Sequence, residues 1–538
     1  MKLKTFFEKF EMFADAPNAV AKMRKLILQL AVQGQLKSQG DESGFPQVRL
    51  DSLGSWAQGC GFPMAEQGHV DRPILFSKVS DMNLPGNERE ILKTNNTIDE
   101  AAAKRLRIKV HPPGTVIFPK IGGAIATNKR RVLVRPTAID NNCSGLIPNK
   151  SCSTHWIFLV LSAIDFAEYQ SGTSVPAVNQ GALGEIKVSL PPLAEQKRIV
   201  AKVDELMALC DRLEAQQQER EEKHKALSRA SLARFADAPT PANLQFIFHP
   251  SYTIAPADLR KSILTLAVQG KLVPQDPEDE PAEPAVAQIE KERERLIAAK
   301  QFRRSQLSGP LDEGPFDIPK TWIWTHLGNA MLNVTDGFHS TPKTVESGVR
   351  YVTAKHVKPG LIDFDSCLFV SEDDFKEIAS KTRPRKGDVL IVNIGAGSGL
   401  ASIIEADFEF AFKNVAILNR PEEVDSKFLF NYLVFKRDDI FEEQTKGGAQ
   451  PFLSLGLIRQ IPFPLPPLAE QLRIVAKVDE LMKLVDALET QLAASRATAT
   501  NLLAALVAEL TGTTNDAKVS VPTNTSTGTG RRGRPPKS

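Results

Sequence analysis

The chain has no run of about 18 uncharged apolar residues, which excludes a transmembrane helix. Its first residues, "MKLKTFFEKFEMFADAP", carry Glu8, Glu11 and Asp15 where a signal-peptide core would lie, so they read as the start of a helix. The five cysteines (Cys60, Cys143, Cys152, Cys210 and Cys367) are odd in number and form no C-x-x-C pair. That pattern argues for a reducing compartment and against a zinc site. Eight dispersed histidines include no i, i+4 pair, so no metal ligands are assigned. The excess of positive charge is small, +3 from 67 basic and 64 acidic residues, which is little for a dedicated nucleic-acid binder. A G-x-x-x-x-G-K-[S/T] phosphate cradle is also missing.

What is present is repetition. "LPPLAEQKRIVAKVDELMALCDRLEAQ" from Leu190 returns as "LPPLAEQLRIVAKVDELMKLVDALETQ" from Leu465. "RKLILQLAVQGQL" from Arg24 returns as "RKSILTLAVQGKL" from Arg260. A chain of 538 residues holds three or four units at roughly 150 residues each. The repeats order it as short helix, unlike segment and long helix, twice over, with an acidic insertion around "PQDPEDEPAEP".

Each short repeat ends in "VQG", where Gly34 and Gly270 can take the left-handed conformation that stops a helix. Each long repeat opens after two prolines, which suit a helix entry. Ile199, Val203, Leu206, Cys210 and Leu213 then alternate four and three apart, as in a coiled-coil seam. Ile474, Val478, Leu481, Val485, Leu488 and Leu492 keep that spacing, and Leu502 and Leu506 extend it. Some 40 residues of helix run roughly 60 Å. Either stripe alone fits a core-facing helix of a bundle, but two of equal length suit each other as antiparallel partners. Charged positions repeat as well: Glu195, Arg198, Lys202 and Glu205, then Glu470, Arg473, Lys477 and Glu480. Identical outer faces are expected to present the same docking surface to the same kind of partner.

The unlike segments share a skeleton. Both contain a turn, a β-branched strand and a glycine-rich loop, "PGTVIFPKIGGAIATNKRR" and "KGDVLIVNIGAGSGLASI", which suggests mixed α/β globules with irregular sheets. "NIGAGSG" resembles a nucleotide-binding loop of S-adenosylmethionine-dependent methyltransferases, but no [D/N]-P-P-[Y/F] follows to hold a flipped adenine. "GEIKV" from Gly184 has an E-x-K without a convincing acidic partner upstream. No catalytic residue is assigned. A basic cluster is usually a solvated face, yet both segments carry one beside the glycine loop, which favours DNA. Lys120, Lys129, Arg130 and Arg131, then Lys381, Arg383, Arg385, Lys386 and Asn393, are the candidate contacts to phosphates and base edges. The tail from Thr511 is poor in hydrophobics and reads as disordered, and its "GRRGRPPKS" resembles an AT-hook, adding Arg532 and Arg534 as minor-groove candidates.

The duplicated "LPPLAEQ.RIVAKVDEL", each copy preceded by an unlike domain, resembles the specificity subunit of type I restriction–modification enzymes over nearly the whole chain. The resemblance implies two α/β (α+β) target recognition domains separated by a long antiparallel two-helix coiled coil, an internal tandem duplication with pseudo-twofold symmetry. The implied segments are an N-terminal helical region (1–44), recognition domain one (45–190), a central region of long and short helices (191–272) and an acidic linker with a helix (273–317). Recognition domain two (318–465), a C-terminal coiled-coil helix (466–510) and the basic tail (511–538) complete them. Implied partners are double-stranded DNA, two modification subunits that bind S-adenosylmethionine and methylate adenine N6, and two restriction subunits driven by ATP and Mg. The chain itself would hold no cofactor and would work in the bacterial or archaeal cytoplasm, away from membranes. The rival readings are an architectural or regulatory DNA-binding protein, marked by co-purification with no methyltransferase, and a single-chain DNA methyltransferase, marked by activity of the purified protein alone.

Overall fold

Gly34 and Gly270 end their helices as their positions predict, with φ of 73° and 68°. In each case the following residue closes the turn, Gln35 N onto Leu30 O and Lys271 N onto Leu266 O, both at 2.9 Å. The computed structural model describes residues 16–36, 44–172, 176–249, 252–305, 307–311, 313–338, 340–380, 382–445 and 452–511. The helices of ten residues or more there are α1 (Ala19–Val32), α2 (Thr154–Ala163), α3 (Leu193–Asp237), α4 (Pro256–Val268), α5 (Glu283–Ala298), α6 (Ser426–Thr445) and α7 (Leu468–Thr511). None is long and apolar enough to cross a membrane. The chain is mixed α/β and divides into two compact units, residues 1–219 with 494–538, and residues 220–493. The N-terminal stretch before Ala16 and the tail beyond Thr511 lie outside the described residues.

In the first unit a five-stranded sheet runs Gly54–Gln58, Cys143–Pro148, Val116–Pro119, Arg131–Leu133, Glu90–Ile91, antiparallel except for the last pair. A second sheet, of four short strands, centres on Ile74–Ser77 and Thr137–Ile139. The strand entering this α/β region, Gln47–Arg49, pairs with the one leaving it, Lys187–Ser189, so the chain comes back to where it began before α3 starts. Trp156, Ile157, Val160 and Leu161 of α2 share a buried cluster with Val116 and Phe118 of the sheet. The same cluster takes in Met23, Leu26, Ile27 and Leu30 of α1, and Ile199, Val203, Leu206 and Cys210 of α3. It also takes in Ala499, Leu503 and Leu506 from the closing turns of α7. There the buried stripe has moved to Leu503, and Leu502, expected in the seam, is half-buried at its edge.

The second unit is built on related lines. Its four-stranded sheet runs Asn333–Asp336, Val415–Asn419, Val389–Val392, Ala401–Ile403, all antiparallel. Its entry strand Ile323–His326 pairs with the exit strand Pro462–Leu465 just before α7. Phe428, Leu429, Tyr432 and Leu433 of α6, Leu259, Ile263 and Leu266 of α4, and Ile474, Val478, Leu481 and Val485 of α7 lie in one core, with Phe235 from the last turn of α3.

Each buried seam side chain is worth about 1.5–3 kcal/mol. Ion pairs add less and set register instead. Arg24 of α1 reaches Asp211 at 2.6 Å and Glu214 at 2.8 Å, and Arg260 of α4 reaches Asp486 at 2.6 Å and Glu489 at 2.7 Å. All of these groups are partly exposed, so each pair contributes about 0–1 kcal/mol.

The acidic insertion is packed against its unit. Gln275 Nε2 donates to Glu470 and Ala282 N donates to the Thr321 carbonyl at 3.0 Å. Arg293 of α5 is buried and donates to the Met331 carbonyl at 2.8 Å. Burial of that guanidinium pushes its pKa down.

Candidate nucleic-acid interface

The main sheets of the two units end in the same backbone frame. In the first unit Lys120 N donates to Asn142 O at 2.8 Å, joining the end of strand Val116–Pro119 to the start of Cys143–Pro148. In the second, Asn393 N donates to Asn414 O at 3.3 Å between the corresponding strand ends. Beside them Cys60 N donates to Ile139 O, and Phe338 N to Phe412 O, both at 2.9 Å. The glycine before each is forced by close approach: a Cβ on Gly59 would meet Asp140 O at 1.8 Å, and one on Gly337 would meet Phe412 O at 1.7 Å. The side chains displayed on this common frame differ. Gln58, Lys120, Asn142 and Gln180 stand at the first sheet end, and Asp336, Lys413 and Asn414 at the second.

The first glycine loop is tied to a distant segment, and the second closes on its own backbone. Gly122 N donates to Pro176 O at 2.7 Å, and Gly122–Thr127 forms a short 3-10 turn. In the second unit Val392 N donates to Leu400 O and Gly399 N to Val392 O, both at 2.8 Å, so "NIGAGSG" joins two antiparallel strands. A nucleotide-binding loop instead leads from a strand into a helix whose N-terminus faces the phosphates.

The basic candidates separate by environment. Lys120 and Lys129 are half-exposed, and Lys129 donates to Asn83 Oδ1. Arg130 and Arg131 were expected at the surface and are buried. Arg130 donates to the Leu161 carbonyl at 3.0 Å, the Lys129 carbonyl at 2.8 Å and Asn128 Oδ1 at 2.7 Å, with its plane 3.5 Å from the Phe166 ring centre. Burial pushes its pKa down to about 9, against the pull of Asp165. Arg131 donates to the Arg130 and Met82 carbonyls, both at 2.7 Å. Both arginines therefore satisfy backbone carbonyls from buried positions, that of Leu161 in α2 and that of Met82, against the surface placement expected of phosphate contacts.

In the second unit Arg383 and Arg385 are exposed, Arg383 paired with Glu409 at 2.6 Å. Arg385 lies 4.0 Å from Asp388. Burial raises the pKa of the Asp388 carboxyl, although Asn419 Nδ2 at 2.7 Å and the Arg420 amide at 3.0 Å favour its charge. Lys386 is exposed. Asn393 is buried, with its Oδ1 lacking a partner among the described residues. Lys381, Arg532 and Arg534 lie outside the described residues.

The repeated charged positions also divide. Lys202 with Glu205, and Lys477 with Glu480, form i, i+3 pairs between partly exposed groups. Arg198 pairs with Glu195 at 2.6 Å and donates to the Leu36 carbonyl at 2.6 Å. Glu470 is 0% exposed and accepts from Trp322 Nε1 at 2.8 Å, which removes it from the expected outer face. Burial raises its carboxyl pKa even so. Arg473 turns instead to the acidic insertion, at Asp279.

Sequence reasoning missed the last residue of the "LPPLAEQ" motif. Gln196 is buried, accepts from Ser153 N at 2.8 Å and donates to the Ser151 and Pro191 carbonyls, both at 2.8 Å. Gln471, also buried, accepts from Asp425 N at 2.7 Å and donates to the Glu423 and Pro466 carbonyls at 2.9 and 3.0 Å. Each glutamine ties the start of a long helix to the loop before α2 or α6. A polar residue identical in two copies beside proline was the available signal.

All five cysteines are free, and burial raises their thiol pKa values, that of Cys210 in the α3 seam to about 11. Among the described residues no three His, Cys, Asp or Glu side chains gather as metal ligands.

The family model for the type I restriction modification DNA specificity domain matches residues 91–222 and 341–495, more than half of the chain. The type I restriction enzyme EcoEI specificity subunit of Escherichia coli is 26% identical over 423 residues, 73% of this chain and 68% of that protein. The EcoAI specificity subunit of the same organism is 29% identical over 338 residues, 59% of this chain and 57% of that one. Of solved structures, the HsdS subunit from Thermoanaerobacter tengcongensis is 20% identical with a TM-score of 0.43, covering 89% of this chain and 100% of its own. A chain from a study of complex assembly and conformational transition of the type I R-M system is 19% identical with a TM-score of 0.48, covering 87% of this chain and 97% of its own.

Proposed function

The chain belongs to the type I restriction modification DNA specificity family, and we propose that, as the specificity subunit of such a system, it reads a two-part DNA site, one half with each recognition domain. The single observation that carries this reading is the pair of sheet ends with matching backbone hydrogen bonds, Lys120 to Asn142 and Asn393 to Asn414, which carry Gln58 on one sheet where the other has Asp336. One frame with two sets of side chains suits two different target sequences.

The repeated long helices are a tandem duplication and pair antiparallel, forming a spacer that sets the distance between half-sites. Support comes from each unit separately: one core holds the opening of α3 with the closing turns of α7, the other the opening of α7 with the last turn of α3. Half-sites about one helical turn apart, roughly 10 bp between centres, would put both readers on one face of the duplex. The exposed pairs Lys202–Glu205 and Lys477–Glu480 lie on surfaces that would dock two modification subunits. Those subunits would bring S-adenosylmethionine and the adenine-N6 chemistry. Two restriction subunits would bring ATP and Mg, and this chain would contribute recognition without catalysis, in the cytoplasm.

Sequencing of adenine methylation in the host genome, with and without the gene, tests the reading. Loss of one bipartite methylated motif is expected. Replacing residues 45–190 with another recognition domain should then change one half of that motif and leave the other half and the spacer length alone. Methylation that persists without the gene overturns the proposal.

A further inference from the structure

The first recognition sheet ends in amides. Gln58, exposed at the end of its strand, donates from Nε2 to Gln180 Oε1 at 3.1 Å. Gln180 Nε2 donates in turn to Ser144 Oγ at 2.5 Å, and Ser144 Oγ to the Ala57 carbonyl at 2.9 Å. On the neighbouring strand the exposed Asn142 is oriented by Asp140, its backbone N on Oδ1 at 3.1 Å and its Nδ2 on Oδ2 at 3.2 Å. Lys120 is joined to Asn142 through the backbone and is half-exposed. The patch therefore combines amide side chains, each held by its neighbours, with the half-exposed Asp140 carboxylate against Asn142 and one cation at its margin.

We infer that this amide-rich sheet end is the base-reading face of the first recognition domain, and that Gln58 and Asn142 are its specificity-determining residues for adenine-containing base pairs in the major groove. This rests on the proposed function and names the chemistry of one half-site. A carboxamide offers a donor and an acceptor side by side, the complement of adenine N6 and N7. Being neutral, it gains little from phosphates, so it adds sequence preference without adding sequence-independent affinity. The hydrogen-bonded chain through Gln180 and Ser144 holds Gln58 before DNA arrives, which lowers the ordering cost of binding. At the place equivalent to Gln58 the second domain carries Asp336, an acceptor suited to cytosine N4, while Asn414 stands where Asn142 does. The frame is shared, and the readable groups differ where one sheet has Gln58 and the other Asp336.

The test uses the full chain assembled with its modification subunits, and selects bound duplexes from a randomised library for the native protein and for Gln58→Ala and Asn142→Ala. Relaxed preference at one or more A·T positions of a single half-site, about 10-fold for each amide removed, is expected, with the other half-site unchanged. Replacing Gln58 with Glu keeps its length and removes the donor, and should alter the same position; this variant guards against a packing effect in the alanine forms. Unchanged selection in all three variants, or changes confined to the other half-site, overturns the inference. Absence of any bipartite preference in the native complex overturns the proposed function itself, so the two failures are distinguishable.

Discussion

Arg473 on α7 grips Asp279 of the acidic insertion through two hydrogen bonds, Nη1 to Oδ1 at 3.0 Å and Nη2 to Oδ2 at 2.6 Å. The paired guanidinium holds the Asp279 carboxyl below the usual carboxylate range, and the carboxylate raises the pKa of Arg473 in return. A depressed carboxyl stabilises the fold above its unfolded value of about 3.9, and that contribution is lost as pH falls through the folded value. Asp279→Asn is therefore expected to destabilise the protein by about 1 kcal/mol at neutral pH, the size of a partly exposed pair. The difference should vanish in strong acid. Urea unfolding of both proteins across the acid range checks it, and a pH-independent difference would be the wrong result.

Glu470 moves the opposite way. Its carboxyl pKa is raised by burial, so its stabilising contribution is complete below the unfolded value of about 4.3 and is lost as pH rises through the folded one. Gln at this position keeps an acceptor for Trp322 Nε1 and carries no charge to bury. As pH rises above that unfolded value, the thermal midpoint of Glu470→Gln is expected to rise relative to the native protein. A midpoint difference that stays flat, or falls, over that rise contradicts the assignment.

Loss of the motif glutamines should be felt locally. Gln196→Ala leaves the Ser153 amide and two carbonyls without their partner, at about 3 kcal/mol in total after partial rehydration. Hydrogen exchange at Ser153 is expected to accelerate in that variant, and exchange at Asp425 in Gln471→Ala. Equal protection in native and variant proteins would show that the hooks hold nothing.

Arg130→Ala should unfold the loop it supports. It strips partners from buried carbonyls and vacates the face of Phe166, at about 3–5 kcal/mol. Arg130→Lys is expected to recover little, because an ammonium lacks the planar fork and the stacking surface. If Arg130 instead served DNA, both variants would melt normally and lose binding. Denaturation and binding measured on the same samples separate the two.

The repeats were legible because they are linear. "VQG" announced a left-handed glycine, and the four-and-three spacing announced which faces of α3 and α7 are buried, up to the drift from Leu502 to Leu503 near the end of α7. The unlike segments could be read as mixed α/β from short β-branched runs between glycine and proline. Their sheet order could not, since Gly54–Gln58 pairs with Cys143–Pro148 across a long stretch of chain and no local pattern encodes that partner.

The candidate contacts were the least legible part, for a physical reason. Sequence by itself determined the period of the helices, their caps and the family they announce, all of which depend on neighbours within a few residues. Whether a charged or polar side chain faces water depends on what arrives from elsewhere in the chain. Glu470 reads like Glu195, but Trp322 and Gln275 close over it. Arg130 reads like any surface arginine, but Phe166 and the Leu161 carbonyl enclose it. Tertiary structure made those decisions, because burying a charge is tolerable only where distant backbone and ring atoms converge to replace its water.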